Sequence, residues 1–174
     1  MAPKPVVAIL MGSDSDLPVM AEVARVLEDF SIAYEARVLS AHRSPDQAAD
    51  FARHAEAQGF ELIVAGSGGA AHLAGVMAAH TLLPVIGVPL DSSPLGGFDA
   101  LMSTVQMPPG VPVATVGVGA MGAKNAGYLA IRLLAMKDPA LRRTLHERRE
   151  RMAQDVLAKS QGLPAKLKEL LNKK

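Results

Sequence analysis

Short apolar runs alternate along the chain with longer segments in which apolar residues recur every three or four positions. Val6–Met11, Tyr34–Leu39, Leu62–Ala65, Val85–Val88 and Val113–Val116 have strand length and predict five strands. Between the first two, Val19, Val23, Val26, Leu27 and Phe30 fall on one face of a helix. Strand and helix in regular alternation imply a parallel sheet with helical crossovers. Several of the runs are too apolar to leave one face wet, as strands covered on both sides must be.

The fold class expected from this pattern is α/β. It is a three-layer α/β/α sandwich with a parallel sheet, similar in type to flavodoxin, plus a C-terminal helical extension. Start and stop signals support the boundaries. Ser44-Pro45-Asp46-Gln47 sets a capping serine, a first-turn proline and a glutamine three residues after the cap. Asp16-Leu17-Pro18 offers a comparable start, and Gly59 a stop. No linker or internal repeat interrupts the pattern, so residues 1–174 read as one domain with a core over about 6–136. The extension, about 139–174, differs: Leu141, Leu145, Met152 and Val156 form a narrow stripe among Arg142, Arg143, Glu147, Arg148, Arg149, Glu150 and Arg151. Such a helix is either partly solvated or packed on a neighbouring subunit.

Composition narrows the class. At 174 residues and 49% hydrophobic content the chain can bury a full core. A formal net charge of +1 argues against nucleic acid as a partner. Without cysteine there is no disulfide, thiolate metal site or sulfur nucleophile, which suits a reducing, cytoplasmic setting. The run Val6–Met11 is too short to span a membrane and lacks a cleavage-like flank, so neither export nor membrane association is expected.

Ligands of parallel sheets bind beyond the carboxyl ends of the strands, where strand order reverses. Three loops there carry chemistry. Gly12-Ser13-Asp14-Ser15-Asp16 joins hydroxyls to a helix start suited to an anion, and Asp16 could hold vicinal sugar hydroxyls; a plainly capped helix with Ser15 or Asp16 as the cap explains the same residues. In Ser40-Ala41-His42-Arg43-Ser44, Arg43 supplies a planar donor set matched to phosphate, and His42 beside it is a general acid/base candidate. In Gly66-Ser67-Gly68-Gly69-Ala70-Ala71-His72-Leu73, the glycines leave bare backbone for a flat ligand or for tight helix-on-sheet packing, and His72 opens the next helix. His54 and His146 fall among polar helical neighbours, and His80 lies near a helix end, where a capping role suits it better than catalysis.

Gly66-x-Gly68-x-x-Ala71 and Gly117-x-Gly119-x-x-Gly122 match a dinucleotide fingerprint in form only. The first has no paired nucleotide-binding half after it, and no strand follows the second to carry a ribose-binding acid. No triphosphate loop and no His/carboxylate cluster with metal-ligand spacing is present, so neither a cofactor nor a metal is expected.

Several strings together resemble the class I PurE family from about Val6 to Met136. They are Met11-Gly12-Ser13-Asp14-Ser15-Asp16, Ser40-Ala41-His42-Arg43-Ser44-Pro45, Gly68-Gly69-Ala70-Ala71-His72-Leu73, Val105-Gln106-Met107-Pro108, Val111–Val116 and Ala123-Lys124-Asn125-Ala126. The resemblance implies a flavodoxin-like subunit of a homo-octamer. It also implies a mutase of purine (IMP) biosynthesis that converts N5-carboxyaminoimidazole ribonucleotide to its 4-carboxy isomer by decarboxylation and recarboxylation. By motif match, Ser13 and Arg43 would hold the phosphate with Ser15 and Ser40 nearby, and Asp16 the ribose. The backbone of Gly66, Ser67, Gly68 and Gly69, with His72 and Leu73, would flank the base, and His42 would be catalytic. Ser44, Ser67, Ala74, Val76-Met77 and Pro109 depart from the usual pattern, Ala74 and Pro109 being expected to bear on loop stiffness.

Three other readings compete. A class II relative carboxylates the unmodified ribonucleotide with free carbon dioxide, but the Gly-Gly-Ala-Ala-His-Leu string is of class I type. A relative acting on a nicotinic acid nucleotide resembles a longer chain with a catalytic cysteine, which is absent here. A signalling module on the same fold would lack the His42-Arg43 pair. Packing of the terminal helix on a neighbour predicts that truncation after Lys137 changes the oligomeric state in sedimentation; an unchanged oligomer would rule it out.

Overall fold

The computed structural model describes residues 3–172, and the chain falls into two units, Met1–Leu134 and Ala135–Lys174. In the first unit β1 (Val7–Met11), α1 (Leu17–Asp29), β2 (Tyr34–Val38), α2 (Pro45–Gln58), β3 (Leu62–Gly68) and α3 (Leu73–His80) follow in order. Then come β4 (Val85–Leu90), α4 (Phe98–Val105), β5 (Ala114–Thr115) and α5 (Gly119–Leu134). The five strands form one sheet in the order β2-β1-β3-β4-β5, and every pair is parallel. This is the flavodoxin-like order, with its reversal between β1 and β3.

Burial explains which runs became central strands. All residues of β1 and β4 are buried, as are Leu62–Ala65 of β3, whereas β2 at the sheet edge alternates between half-buried and exposed. The pleat sends Ala8, Leu10, Ile63 and Ala65 into a cluster with Phe51, Phe60, Leu73 and Met77, which belongs to the α2/α3 side. On the opposite side α1 packs against α5, and Phe30 meets Tyr128 edge-on with ring centroids 6.1 Å apart. A Cβ on Gly127 of α5 would stand 2.7 Å from Cβ of Val26, so this glycine lets the two helices approach closely.

Three boundaries differ from the hydrophobic pattern. β3 runs three residues past Ala65, because Gly66, Ser67 and Gly68 pair with Val88, Pro89 and Leu90 of β4, which itself runs two residues past Val88. Small residues of low strand propensity are held extended there by their neighbour, a tertiary effect. β5 shrinks to Ala114–Thr115, since an edge strand gains pairing on one side only. Gly59 closes α2 as expected, at φ 98°, with its N–H bonded to the carbonyls of Ala55 and Glu56.

The second unit is built on α6 (Pro139–Asn172), 34 residues long with Pro164 inside it. Asp138 caps its start, its Oδ1 accepting from N–H of Ala140 at 2.8 Å and of Leu141 at 3.0 Å. Leu141 is buried, Leu145 half-buried, and Met152 and Val156 are exposed; Leu163, Leu167 and Leu170 beyond them are exposed too, so the apolar series runs further down the helix than the sequence pattern indicated. Among the described residues no helix is long and apolar enough to cross a membrane.

The α1/α5 contact generates a direct expectation. Gly127→Ala forces a methyl against Val26 and should cost about 1–3 kcal/mol, the usual range for overpacking. Urea denaturation would measure it, and unchanged stability would mean that the helices part freely at this point.

Candidate active site

Register brings the reactive loops together. Met11, the last residue of β1, pairs with Val38 on one side and Gly66 on the other, so three strands deliver their following loops to one edge. There the first unit has a cleft of about 340 Å³, within the usual range for small-molecule sites. Its walls come from the turn after β1, the turn after β2, the end of β3 with the start of α3, and the loop after β4.

The first wall is a 3₁₀ turn, Asp14–Asp16, closed by a capping box. The Ser13 hydroxyl accepts from N–H of Ser15 at 3.4 Å, and Asp16 Oδ2 accepts from N–H of Ser13 at 3.0 Å. Ser13, rather than Ser15 or Asp16, is thus the capping hydroxyl, and the Asp16 side chain makes no cap bond to α1. Burial pushes the Asp16 carboxyl above its ordinary pKa; hydrogen bonds from the Ser13 and Gly12 backbone and the Arg43 charge oppose this without cancelling it.

The second wall is held by hydroxyls. The Ser40 side chain accepts from N–H of Arg43 at 3.0 Å, and Ser44 Oγ both accepts from Ser40 N–H at 3.0 Å and donates to its carbonyl at 3.1 Å. Ser44 was expected to cap α2. It makes no such bond, because its hydroxyl closes the turn that carries His42 and Arg43. Arg43 Nη2 donates to the Gly12 carbonyl at 2.8 Å, tying the second loop to the first. A guanidinium has five N–H donors, so most remain for an anion.

The third wall brings His72 against His42. Nε2 of His42 lies 2.8 Å from Nδ1 of His72, with ring centroids 4.9 Å apart and planes at 78°. His72 is the N-cap residue of α3, flanked by Ala71 and Leu73, both buried. Ala74, expected in a loop, lies in the first turn of α3 and is buried, so its departure from the family pattern concerns packing.

Of the expected site residues, Ser13, Ser15, Asp16, Ser40, His42 and Arg43 line the cleft, as do Ser67, Gly68, His72 and Leu73. Gly66 and Gly69 do not. At Gly66 the space a side chain would fill is taken by Met20 of α1, which is helix-on-sheet packing; Gly69 turns at φ 58° in open space. The pattern missed Ser92, which follows β4 and lines the same cleft. Its hydroxyl stands where a Gly68 side chain would be, so Gly68 is small in order to admit it. The signal was its place after a strand, hidden because that strand was read as ending at Val88. His54 is exposed on α2 with Nδ1 2.9 Å from the Asp50 carbonyl, His80 is the exposed last residue of α3, and His146 is exposed on α6. Among the described residues no group of three His, Cys, Asp or Glu could hold a metal ion. In the glycine motif after β5, the missing Gly122 side chain makes room for the Gly117 carbonyl, which accounts for its small residues by packing.

The raised pKa of Asp16 fixes a sign. Its folded form holds the proton more tightly than the unfolded chain, so the Asp16 contribution to stability is present at low pH and falls as pH rises through the raised value. Asp16→Asn should therefore gain stability relative to the parent between about pH 3 and pH 7, in thermal melts across that span. A difference independent of pH would show that the carboxyl does not titrate abnormally.

A family model described as AIR carboxylase matches residues 6–155. The chain is 54% identical over 171 residues to the N5-carboxyaminoimidazole ribonucleotide mutase of Thermotoga maritima, covering 98% of this chain and 99% of that one. It is 58% identical over 148 residues to the protein of the same name from Pyrococcus abyssi, covering 85% and 84%. The Bacillus subtilis protein of that name is 50% identical over 160 residues, covering 92% and 99%. Among solved structures, Treponema denticola PurE superposes with a TM-score of 0.83 at 29% identity, over 91% of this chain and 98% of that one. A match along most of the chain, near-complete coverage by relatives at half identity or more and the shared fold establish that the chain belongs to the AIR carboxylase (PurE) family.

Proposed function

We propose that the protein is an isomerase of purine biosynthesis, a mutase that converts N5-carboxyaminoimidazole ribonucleotide to 4-carboxyaminoimidazole ribonucleotide. The observation that carries this reading is the name shared by relatives at 48–58% identity. The cleft supports it with phosphate-type donors at one end and two imidazoles beside them.

In this reading Ser13 and Arg43 hold the phosphate, with Ser15 and Ser40 at its edge, and Asp16 accepts from the ribose hydroxyls. Ser67 and Gly68, with the backbone of Gly66 and Gly69, flank the base beside His72 and Leu73. His42 is the acid/base. Protonated His42 gives its proton to the exocyclic nitrogen as the N–carboxylate bond breaks, leaving carbon dioxide and the amine in the cleft. The ring carbon then attacks carbon dioxide, and neutral His42 removes the proton from that carbon. The proton lent in the first half is returned in the second, so no cofactor is required. Confinement holds carbon dioxide at high effective concentration until recapture. The reading extends to one PurE-like domain with a C-terminal helix, working as a cytoplasmic homo-octamer.

A second reading follows from the family description: direct carboxylation of the unmodified ribonucleotide. Incubation with N5-carboxyaminoimidazole ribonucleotide, and separately with aminoimidazole ribonucleotide plus bicarbonate, separates the two by absorbance of the carboxylated product. The mutase converts the first mixture without ATP or metal; activity confined to the second makes the protein a carboxylase. His42→Asn should lower kcat by at least about 10²-fold, the scale of general acid–base catalysis, while substrate binding by calorimetry stays within a few-fold. Near-normal turnover in that variant removes His42 from the chemistry.

A further inference from the structure

Ser92, the cleft residue that the hydrophobic pattern missed, carries a hydroxyl that the chain itself does not use. Its Oγ stands over the bare α-carbon of Gly68, where a Cβ added to that glycine would come within 1.9 Å of it. The hydroxyls of Ser13 and Ser40 are engaged within the chain, one in the capping box and one in the turn that carries Arg43. Those of Ser15, Ser67 and Ser92 have no partner in the chain among the described residues. Ser15 belongs to the turn after β1, and Ser67 leans toward that turn, its Cβ 4.0 Å from the place of a Gly12 side chain. Of the three, only Ser92 lies on the β4 side.

The loop that carries Ser92 is fixed on both flanks. Asp91 before it fills the space beside Gly119 at the start of α5, where a carboxylate meets the positive end of a helix. Gly97, at φ 82°, packs against the same point: a Cβ there would lie 3.2 Å from the Asp91 α-carbon. On the other flank Ser93 Oγ donates to Asp99 Oδ1 at 2.8 Å and accepts from N–H of Leu95 at 3.2 Å. Both neighbours are engaged, and the hydroxyl between them meets a ligand without further ordering.

Strand order gives the site a direction. The phosphate-type donors come from the loops after β1 and β2, the residues beside the base from β3 and α3, and Ser92 from β4, next in the sheet. At about 4.8 Å per strand, the end of β4 stands roughly 10 Å from that of β1. The ribonucleotide is ordered in the same way: phosphate, ribose, imidazole, and last the carboxyl group at the ring edge. We propose that Ser92 donates a hydrogen bond to that carboxyl group and so distinguishes carboxylated from uncarboxylated ribonucleotide. This rests on the reading of the cleft as the site of that ligand. The carboxyl group sits on the exocyclic nitrogen before reaction and on the adjacent ring carbon after it, so one donor at this edge reaches both. A carboxylate only accepts hydrogen bonds, and its charge strengthens them. Carbon dioxide is neutral and accepts weakly. The bond is therefore strongest to substrate and product, its effect is read in binding, and no proton leaves the hydroxyl.

Calorimetry with two ligands tests this: 4-carboxyaminoimidazole ribonucleotide, and aminoimidazole ribonucleotide, which lacks the carboxyl group. Ser92→Ala should weaken the first about tenfold, the scale of a hydrogen bond to a charged group, and leave the second within about twofold. The uncarboxylated ligand thus reports on the integrity of the cleft in the same variant. Ser92→Thr keeps a hydroxyl and should bring the first ligand back to within about threefold of the parent. Equal weakening of both ligands in Ser92→Ala, unchanged binding of the carboxylated one, or a loss in Ser92→Thr as deep as in Ser92→Ala would each overturn the assignment. The underlying reading fails separately, in a parent protein that binds neither ribonucleotide.

Discussion

Met11 pairs at once with Val38 and Gly66, and the cleft depends on that register. β1 and β2 end at one level and β3 runs two residues further, which sets their following turns side by side at one edge. A slip of one residue would turn every side chain of a strand to the opposite face and carry its loop away from the others. The register is held by burial: β1 is fully buried, and its two faces feed different helical layers. Core packing on both sides of the sheet therefore determines where Ser13, Arg43 and His72 stand.

Local bonds then refine what the register sets out. Arg43 to the Gly12 carbonyl joins the first two turns, and the Ser40–Ser44 exchange stiffens the turn between them. The result is asymmetric: cationic and hydroxyl donors gather beside β1 and β2, while imidazoles and bare backbone lie toward β3. Asp16 illustrates the cost of such a site. Its carboxyl is held where burial disfavours ionisation, although Arg43 and two backbone N–H groups favour it. Polar groups kept short of full satisfaction in a cleft are a usual concession of stability to binding.

Several sequence features changed meaning in the folded chain. Gly66, expected beside a ligand, is small because Met20 needs the room, whereas Gly68 is small because Ser92 does. Ser44 has the composition of a helix cap and acts as a turn clamp. The Leu141 to Val156 stripe is a helix, as its periodicity suggested, but the apolar series continues past Pro164 through Leu167 and Leu170. In each case the residue type was right for two local roles, and the choice lay with a partner distant in the chain.

The sequence by itself determined the alternation of strand and helix, the parallel sheet, and the three loops that would matter. Those follow from hydrophobic period and from strand-end position, which are local along the chain. Family membership was legible too, because motif strings are linear. The tertiary structure decided what linear order does not contain. It extended β3 and β4 through residues of weak strand propensity, because each supplies the other's hydrogen bonds. It brought Ser92 into the cleft across Gly68. It also set His42 against His72, thirty residues apart in the chain, because β2 and β3 flank the same strand and so deliver their loops to one edge.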